Sequence, residues 1–205
     1  MKKGKFIVME GGDGSGKSTH TRLLVEGLFK KGYAVFSTCE PSHSEIGKLI
    51  RRYLSGELEA PEATIASLFL ADRILHIEGK GGIKEHLEKG VNVICDRYYL
   101  SSMAYNCMSE SIDWVFNLNL RARDLLKPDL VIYLKADEEE TDKRLGKRES
   151  MEIYETKEFQ RKVLNRYQEA MDRLGDNNVK VVSTVASREE VAKEILKIAE
   201  DLIAE

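Results

Sequence analysis

Residues 11–18 read Gly11-Gly12-Asp13-Gly14-Ser15-Gly16-Lys17-Ser18, followed by Thr19. This fits the pattern Gly-x-x-x-x-Gly-Lys-Ser/Thr. Glycines let a loop wrap closely, so that its backbone N–H groups face phosphate oxygens. A helix that begins at the loop adds its positive N-terminal end. In this arrangement Lys17 reaches β- and γ-phosphates, and the Ser18 hydroxyl ligates Mg²⁺. A bare glycine turn is the competing reading. The Lys-Ser pair, with an apolar run before it and a helical pattern after it, argues against that reading.

Three further groups carry chemistry. Asp96-Arg97-Tyr98 follows the apolar run Val91–Cys95. A carboxylate there holds Mg²⁺ directly or through water, or orients a phosphate acceptor. Its neighbour Arg97 offers a planar fork for phosphate oxygens. A structural Asp–Arg pair at a strand end is the bland alternative. Phe69 and Arg73 are four apart in a helical pattern and share a face. An aromatic ring and a guanidinium so spaced can stack on a base and hydrogen-bond its edge. Taken alone, they read more simply as a core phenylalanine and a surface arginine. Ser101, Ser102 and Tyr105, taken alone, are a helix N-cap and an ordinary aromatic. His20, His43, His76 and His86 show no metal-ligand spacing and are assigned no chemistry; Trp114 reads as core.

These residues need elements to hold them. Short apolar runs predict buried strands at Lys5–Met9, Ala34–Ser37, Val91–Cys95, Asp129–Leu134 and Val179–Val182. Helical patterns fall at Lys17–Lys31, Glu45–Leu54, Pro61–Glu78, Gly82–Lys89, Ile112–Leu125, Lys157–Leu174 and Arg188–Ala204. Alternation of the two implies βαβ crossovers and a five-stranded parallel sheet with helices on both faces, an α/β fold. Such sheets bind ligands beyond the carboxyl ends of their strands. The candidate residues all follow strands or sit one helix away.

The chain has 205 residues, which suits one domain, 1–205. Its net charge of −3 argues against a sequence-independent hold on nucleic acid, so any anion site must be local. The three cysteines are odd in number and form no Cys-x-x-Cys. That argues against a disulfide framework or structural zinc and for reduced thiols in the cytoplasm. Glu10 interrupts the first apolar run, too early for a secretory leader, and no stretch reaches the length of a membrane span. Segment 136–152 is nearly all charged, acidic first and basic later. By charge alone it reads as a solvated helix.

Together the motifs resemble the thymidylate kinase family of nucleoside monophosphate kinases. The matching pieces are Glu10-Gly11-x-Asp13-x-x-Gly16-Lys17-Ser18-Thr19, Glu40-Pro41, Ile46-Gly47-x-x-Ile50-Arg51, Leu68-Phe69-x-Ala71-Asp72-Arg73, Asp96-Arg97-Tyr98-x-x-Ser101-Ser102-x-Ala104-Tyr105 and Lys127-Pro128-Asp129-Leu130. They run in the family's order over most of the chain.

The resemblance implies a P-loop fold and phosphoryl transfer from MgATP to dTMP, between small-molecule nucleotides, by a homodimer. It implies that Gly11, Gly12, Asp13, Gly14, Ser15, Gly16, Lys17, Ser18 and Thr19 bind ATP, and that Ser18 and Asp96 hold Mg²⁺. Asp13 would contact the sugar 3′-hydroxyl, Phe69 would stack on thymine and Arg73 would donate to its O4. Ser102 would sit at the base edge, Ser101 would belong to the substrate-binding set, Tyr105 would crowd the 2′ position, and Arg97 would touch the acceptor phosphate.

Gly14 stands where some members carry Arg, as in a bacterial-like branch that places basic residues in a lid. That favours a mobile lid at 136–152, with Arg144 and Arg148 catalytic beside Lys143 and Lys147. Cys39 precedes Glu40 and Ser42-His43 follow Pro41, positions where the family often carries Arg. Arg51 is then the candidate for that charge. Another nucleotide or deoxynucleoside kinase is the first alternative. A GTPase-type switch needs a guanine-reading Asn-Lys-x-Asp, which is absent; Asp172–Gly175 matches Asp-x-x-Gly only inside a helical pattern.

Overall fold

A computed structural model describes residues 2–106, 108–109, 111–136, 157–175 and 178–205. Its five strands are β1 (Phe6–Glu10), β2 (Val35–Cys39), β3 (Asn92–Asp96), β4 (Leu130–Lys135) and β5 (Val179–Ser183). All pair in parallel, in the order β2-β3-β1-β4-β5. The described helices are α1 (Lys17–Lys30), α2 (Glu45–Leu54), α3 (Glu62–Glu78), α4 (Ile83–Glu88), α5 (Tyr99–Tyr105), α6 (Ile112–Leu125), α7 (Lys157–Leu174) and α8 (Arg188–Ala204). The expected five-stranded parallel sheet is thus present, with every expected helix.

One helix was not expected. Tyr99–Tyr105 forms α5, and Ser101 and Ser102 lie buried inside it rather than capping it. The run YLSSMAY is too short and too polar in its middle to show a helical period. Its packing against α7 and α6 decides its conformation instead.

Side chains alternate across the central strands, as the pleat requires. Phe6 and Val8 join a core with α3–α7 on one face, while Ile7 and Met9 join a second core with α1 and α8 on the other. Two cores around one fully buried strand explain why β1 reads as an unbroken apolar run. The same burial places the residue after Met9, Glu10, at 0% exposure.

The turn between β2 and α2 is tied to α3 by Asp72. Its carboxylate accepts from Ser42 N, Ser42 Oγ and Ser44 Oγ, each at 2.6 Å. Ser44 Oγ in turn accepts from Gly47 N at 3.0 Å and caps α2. Gly47 is needed because a Cβ there would lie 2.0 Å from the Ser42 carbonyl oxygen. Gly47→Ala is expected to destabilise the fold by about 1–3 kcal/mol, since backbone rather than a flexible side chain must yield. Urea denaturation should show a lower midpoint at unchanged slope.

Candidate active site

The carboxyl ends of β1, β2 and β3 open onto one cavity of about 930 Å³. The loop 11–16 leaves β1 there and enters α1. At Gly11 the backbone has φ 146°, and a Cβ would meet the Leu134 carbonyl oxygen at 2.7 Å, so only glycine fits. Gly16 begins α1 without any side-chain cap. The positive end of α1 therefore faces the cavity.

Asp13, Gly14, Gly16, Lys17, Ser18 and Thr19 line the cavity, while Gly11, Gly12 and Ser15 do not. Lys17 Nζ donates to Gly12 O at 2.8 Å and is 4.0 Å from Asp13 Oδ1. Burial, followed by the nearby Arg97 charge, pushes the Lys17 ammonium down to about 7. Ser18 Oγ donates to Asp96 Oδ2 at 3.0 Å, and Asp96 Oδ1 is buried without a hydrogen-bond partner among the described residues. The bland Asp96–Arg97 pair is therefore not formed: these neighbours point to different partners.

Arg97 has a left-handed backbone, φ 71°, which costs a non-glycine residue about 1–3 kcal/mol. Several contacts hold it. Its guanidinium donates to Asp13, to Ser101 Oγ at 3.1 Å and to Tyr105 OH at 3.3 Å, and lies 4.7 Å from the Tyr105 ring centroid. Asp13 also accepts from Tyr105 OH at 2.9 Å and from Gln160 Nε2 at 3.3 Å. Burial opposes the Asp13 charge, but Arg97 and then Lys17 outweigh it and hold the carboxyl below its ordinary range.

Beneath this layer Glu10 accepts from Tyr98 N at 2.8 Å, Ser101 N at 3.2 Å, Ser101 Oγ at 2.6 Å and Tyr167 OH at 3.1 Å. Burial raises the Glu10 carboxyl despite these donors. Ser101 borders the cavity, yet its hydroxyl is engaged below by Glu10 and Tyr167.

At the far end stand Phe69, Arg73, Ser102, Tyr105 and Asn106. Phe69 is half-buried, facing the cavity rather than joining the core. Arg73 is no surface residue: it is 1% exposed. Its Nε and Nη2 each meet Glu40 Oε2 at 2.7 Å, Nη2 donates to Ser102 Oγ at 3.0 Å, and Nη1 donates to Asn119 Oδ1. Of the five N–H groups of an arginine, one on Nη1 is left without a partner among the described residues. Arg51 also lines the cavity, with its guanidinium on the carbonyl oxygens of Pro41 and Ser42.

Thr184, Ala186, Arg188 and Val191 also line the cavity. Among the described residues six basic and three acidic side chains line the cavity, a local excess of positive charge in a chain of net charge −3. Arg144 and Arg148 lie outside the described residues, as does almost all of 136–152.

Sequence reasoning left Glu10, Glu40 and Asp72 as motif letters without roles, and missed Asn119, Gln160 and Tyr167. An acidic residue closing a buried apolar strand was the available signal for Glu10. Asn119 and Tyr167 sit in ordinary amphipathic helices and carried no signal.

The sequence model named thymidylate kinase matches residues 9–195. The chain belongs to the thymidylate kinase family. A probable thymidylate kinase of Methanocaldococcus jannaschii is 42% identical over 191 residues, 93% of each chain. One from Thermococcus onnurineus is 38% identical over 206 residues, covering 95% of this chain and 97% of its own. The solved thymidylate kinase of Candida albicans superposes with a TM-score of 0.80 at 28% identity, over 97% of this chain and 92% of that one. Fold and family agree: this is a P-loop kinase scaffold. The relatives from the first two sources are archaeal, so the expected bacterial-like attribution gains no support.

Nucleotide binding is expected to take up a proton at Lys17. Phosphate charge raises an ammonium that stands at about 7 in the free protein. At pH 8 the free Lys17 is mostly neutral, so titration calorimetry in buffers of different ionisation enthalpy should report uptake of about one proton with ATP. Affinity should fall as pH rises above about 7, and Lys17→Met should show no uptake.

Proposed function

We propose that this kinase transfers the γ-phosphoryl group of MgATP to dTMP, giving dTDP and ADP. The observation that carries the reading is the single cavity that joins the phosphate loop to a buried arginine, one of whose N–H groups has no partner among the described residues, beside Phe69. A carbonyl at C4 of a pyrimidine accepts that N–H. The amino group of cytosine presents a donor instead and leaves the arginine N–H buried and unpaired. Phe69 stacks on the base, Ser102 sits at its edge, and Ser101 supports Arg97 from below. Asp13 takes the sugar 3′-hydroxyl, and Tyr105, hydrogen-bonded to it, crowds the 2′ position.

The phosphate chemistry lies midway. Gly11 to Thr19 cradle ATP, with Lys17 on the β- and γ-phosphates. Arg97 holds the acceptor phosphate. An oxygen of that phosphate attacks the γ-phosphorus as the bond to the bridging oxygen of ADP breaks. The acceptor oxygen is already ionised, so no general base is required. Positioning and positive charge do most of the work, because the transferred group spreads negative charge over its oxygens.

Ser18 Oγ and Asp96 suit Mg²⁺: both offer hard oxygens, and Asp96 Oδ1 is a buried acceptor without a partner. When bound there, the ion would neutralise phosphate charge. Arg144 or Arg148 supplies further positive charge to the transferred group. This lid role rests on the family resemblance, with Gly14 standing where some members carry Arg, together with the basic residues of 136–152. One kinase domain, a homodimer and a cytoplasmic setting complete the reading, all by family resemblance and thiol content. Among the described residues no helix is long and apolar enough to cross a membrane.

The test is ADP release with MgATP against dTMP, dUMP, dCMP, UMP, AMP and GMP, with a no-acceptor control. dTMP should exceed dCMP by about 100-fold or more in kcat/KM. Preference for another monophosphate would overturn the base assignment while leaving a P-loop kinase. In steady state, Arg144→Ala or Arg148→Ala should lower kcat by roughly 10³-fold with little change in KM for dTMP. Near-normal kcat in both would remove the lid arginine.

A further inference from the structure

His76 stands behind the arginine end of the cavity and does not line it. It follows Arg73 by three residues on α3, so both side chains leave one face of the helix. Its ring is 8% exposed. Nδ1 lies 3.3 Å from Glu40 Oε1, and Nε2 lies 2.7 Å from Thr38 Oγ1. A carboxylate oxygen only accepts, so the proton in the first contact sits on Nδ1. The other ring nitrogen, Nε2, is then the atom that meets the Thr38 hydroxyl.

A continuous chain results. Thr38 on β2 hydrogen-bonds His76 on α3, His76 donates to Glu40 Oε1, and Arg73 donates to Glu40 Oε2. Each carboxylate oxygen of Glu40 therefore serves one residue. We propose that His76 is a positioning residue for base recognition, holding Glu40 so that Arg73 presents its one free N–H to a pyrimidine carbonyl at C4. The inference rests on the assignment of Arg73 to the base in the proposed function.

The reason lies in what Arg73 does once Oε1 is released. A guanidinium prefers to grip both oxygens of a carboxylate in a parallel fork. With His76 on Oε1, Nε and Nη2 of Arg73 converge on Oε2 alone, and Nη2 keeps its second proton on Ser102. Without His76 the fork closes on both oxygens. The guanidinium plane turns against the Tyr98 ring, 5.1 Å away, and the free Nη1 proton leaves the cavity direction. The loss falls on substrates that offer an acceptor at C4, and on their binding more than on transfer.

The experiment compares two acceptors, dTMP and the deoxyribonucleoside monophosphate of 5-methyl-2-pyrimidinone, in which the C4 carbonyl is replaced by C–H and N3 changes from a donor to an acceptor. His76→Leu should lower kcat/KM for dTMP about tenfold, mainly through KM, and shift the analogue by less than about twofold. His76→Asn, whose amide can replace the Nδ1 donor, should recover most of the loss. Thr38→Val, similar in volume but without the hydroxyl, should fall between. KM for ATP should stay put in all three.

Equal losses with both acceptors in His76→Leu would overturn the proposal and assign His76 a packing role. So would an unchanged dTMP profile. Should His76→Leu lack a cooperative melt, Thr38→Val decides: selective loss on dTMP supports the relay, and equal loss or none overturns it. If the wild-type enzyme does not favour dTMP over the analogue, the assignment of Arg73 fails first and takes the relay with it.

Discussion

Four hydrogen bonds converge on the buried carboxylate of Glu10, at the point where β1 ends and the phosphate loop begins. Such a group is costly to remove from water and is tolerable only when its oxygens are satisfied. Satisfying them draws in the start of α5 through Tyr98 and Ser101, and α7 through Tyr167. The loop, the Asp96–Arg97 corner and the helix after segment 136–156 are thereby fastened to one carboxylate. Arg97 is held in its unfavourable backbone conformation by this same assembly, since Ser101 and Tyr167 contact both Glu10 and Arg97.

A second buried network governs the other end of the cavity. Arg73 is a cation with almost no access to water, surrounded by Glu40, Asn119, Ser102 and the Tyr98 ring. Neutralisation by Glu40 makes its burial tolerable, and occupation of four N–H groups among the described residues leaves one for the base contact proposed above. A fully hydrated arginine would accept many partners. One with a single remaining donor in a fixed direction discriminates by the penalty of leaving that donor unpaired. The two networks meet at α5, where Ser101 serves Glu10 and Ser102 serves Arg73.

Net charge conceals this arrangement. A mildly acidic chain gathers an excess of arginine and lysine around one cavity because strand ends and helix starts from distant segments meet there. Asp13 and Asp96 lie among these cations, each on different partners, and so divide the site between Arg97 with Lys17 and Ser18.

Local pattern was enough for the sheet and most helices. Apolar runs of strand length, alternating with helical periods, specify β1–β5 and every described helix but α5, because those elements bury faces that the period itself reveals. The phosphate loop was legible for a similar reason: its glycines and Lys17-Ser18 act through backbone shape and near neighbours. Other properties were not local. Arg73 reads as a surface charge until Glu40, 33 positions earlier, and Asn119, 46 later, close around it. Ser101 reads as a cap until Glu10, 91 residues away, claims its hydroxyl. Tyr167 and His76 look like filler on amphipathic helices until packing sets a carboxylate against each. Sequence by itself determined where backbone could wrap a phosphate and which faces must be buried, because both follow from neighbours along the chain. Tertiary structure alone decided which buried charges pair and which arginine donor is left without a partner among the described residues, because hydrogen-bond saturation depends on groups that only folding brings together.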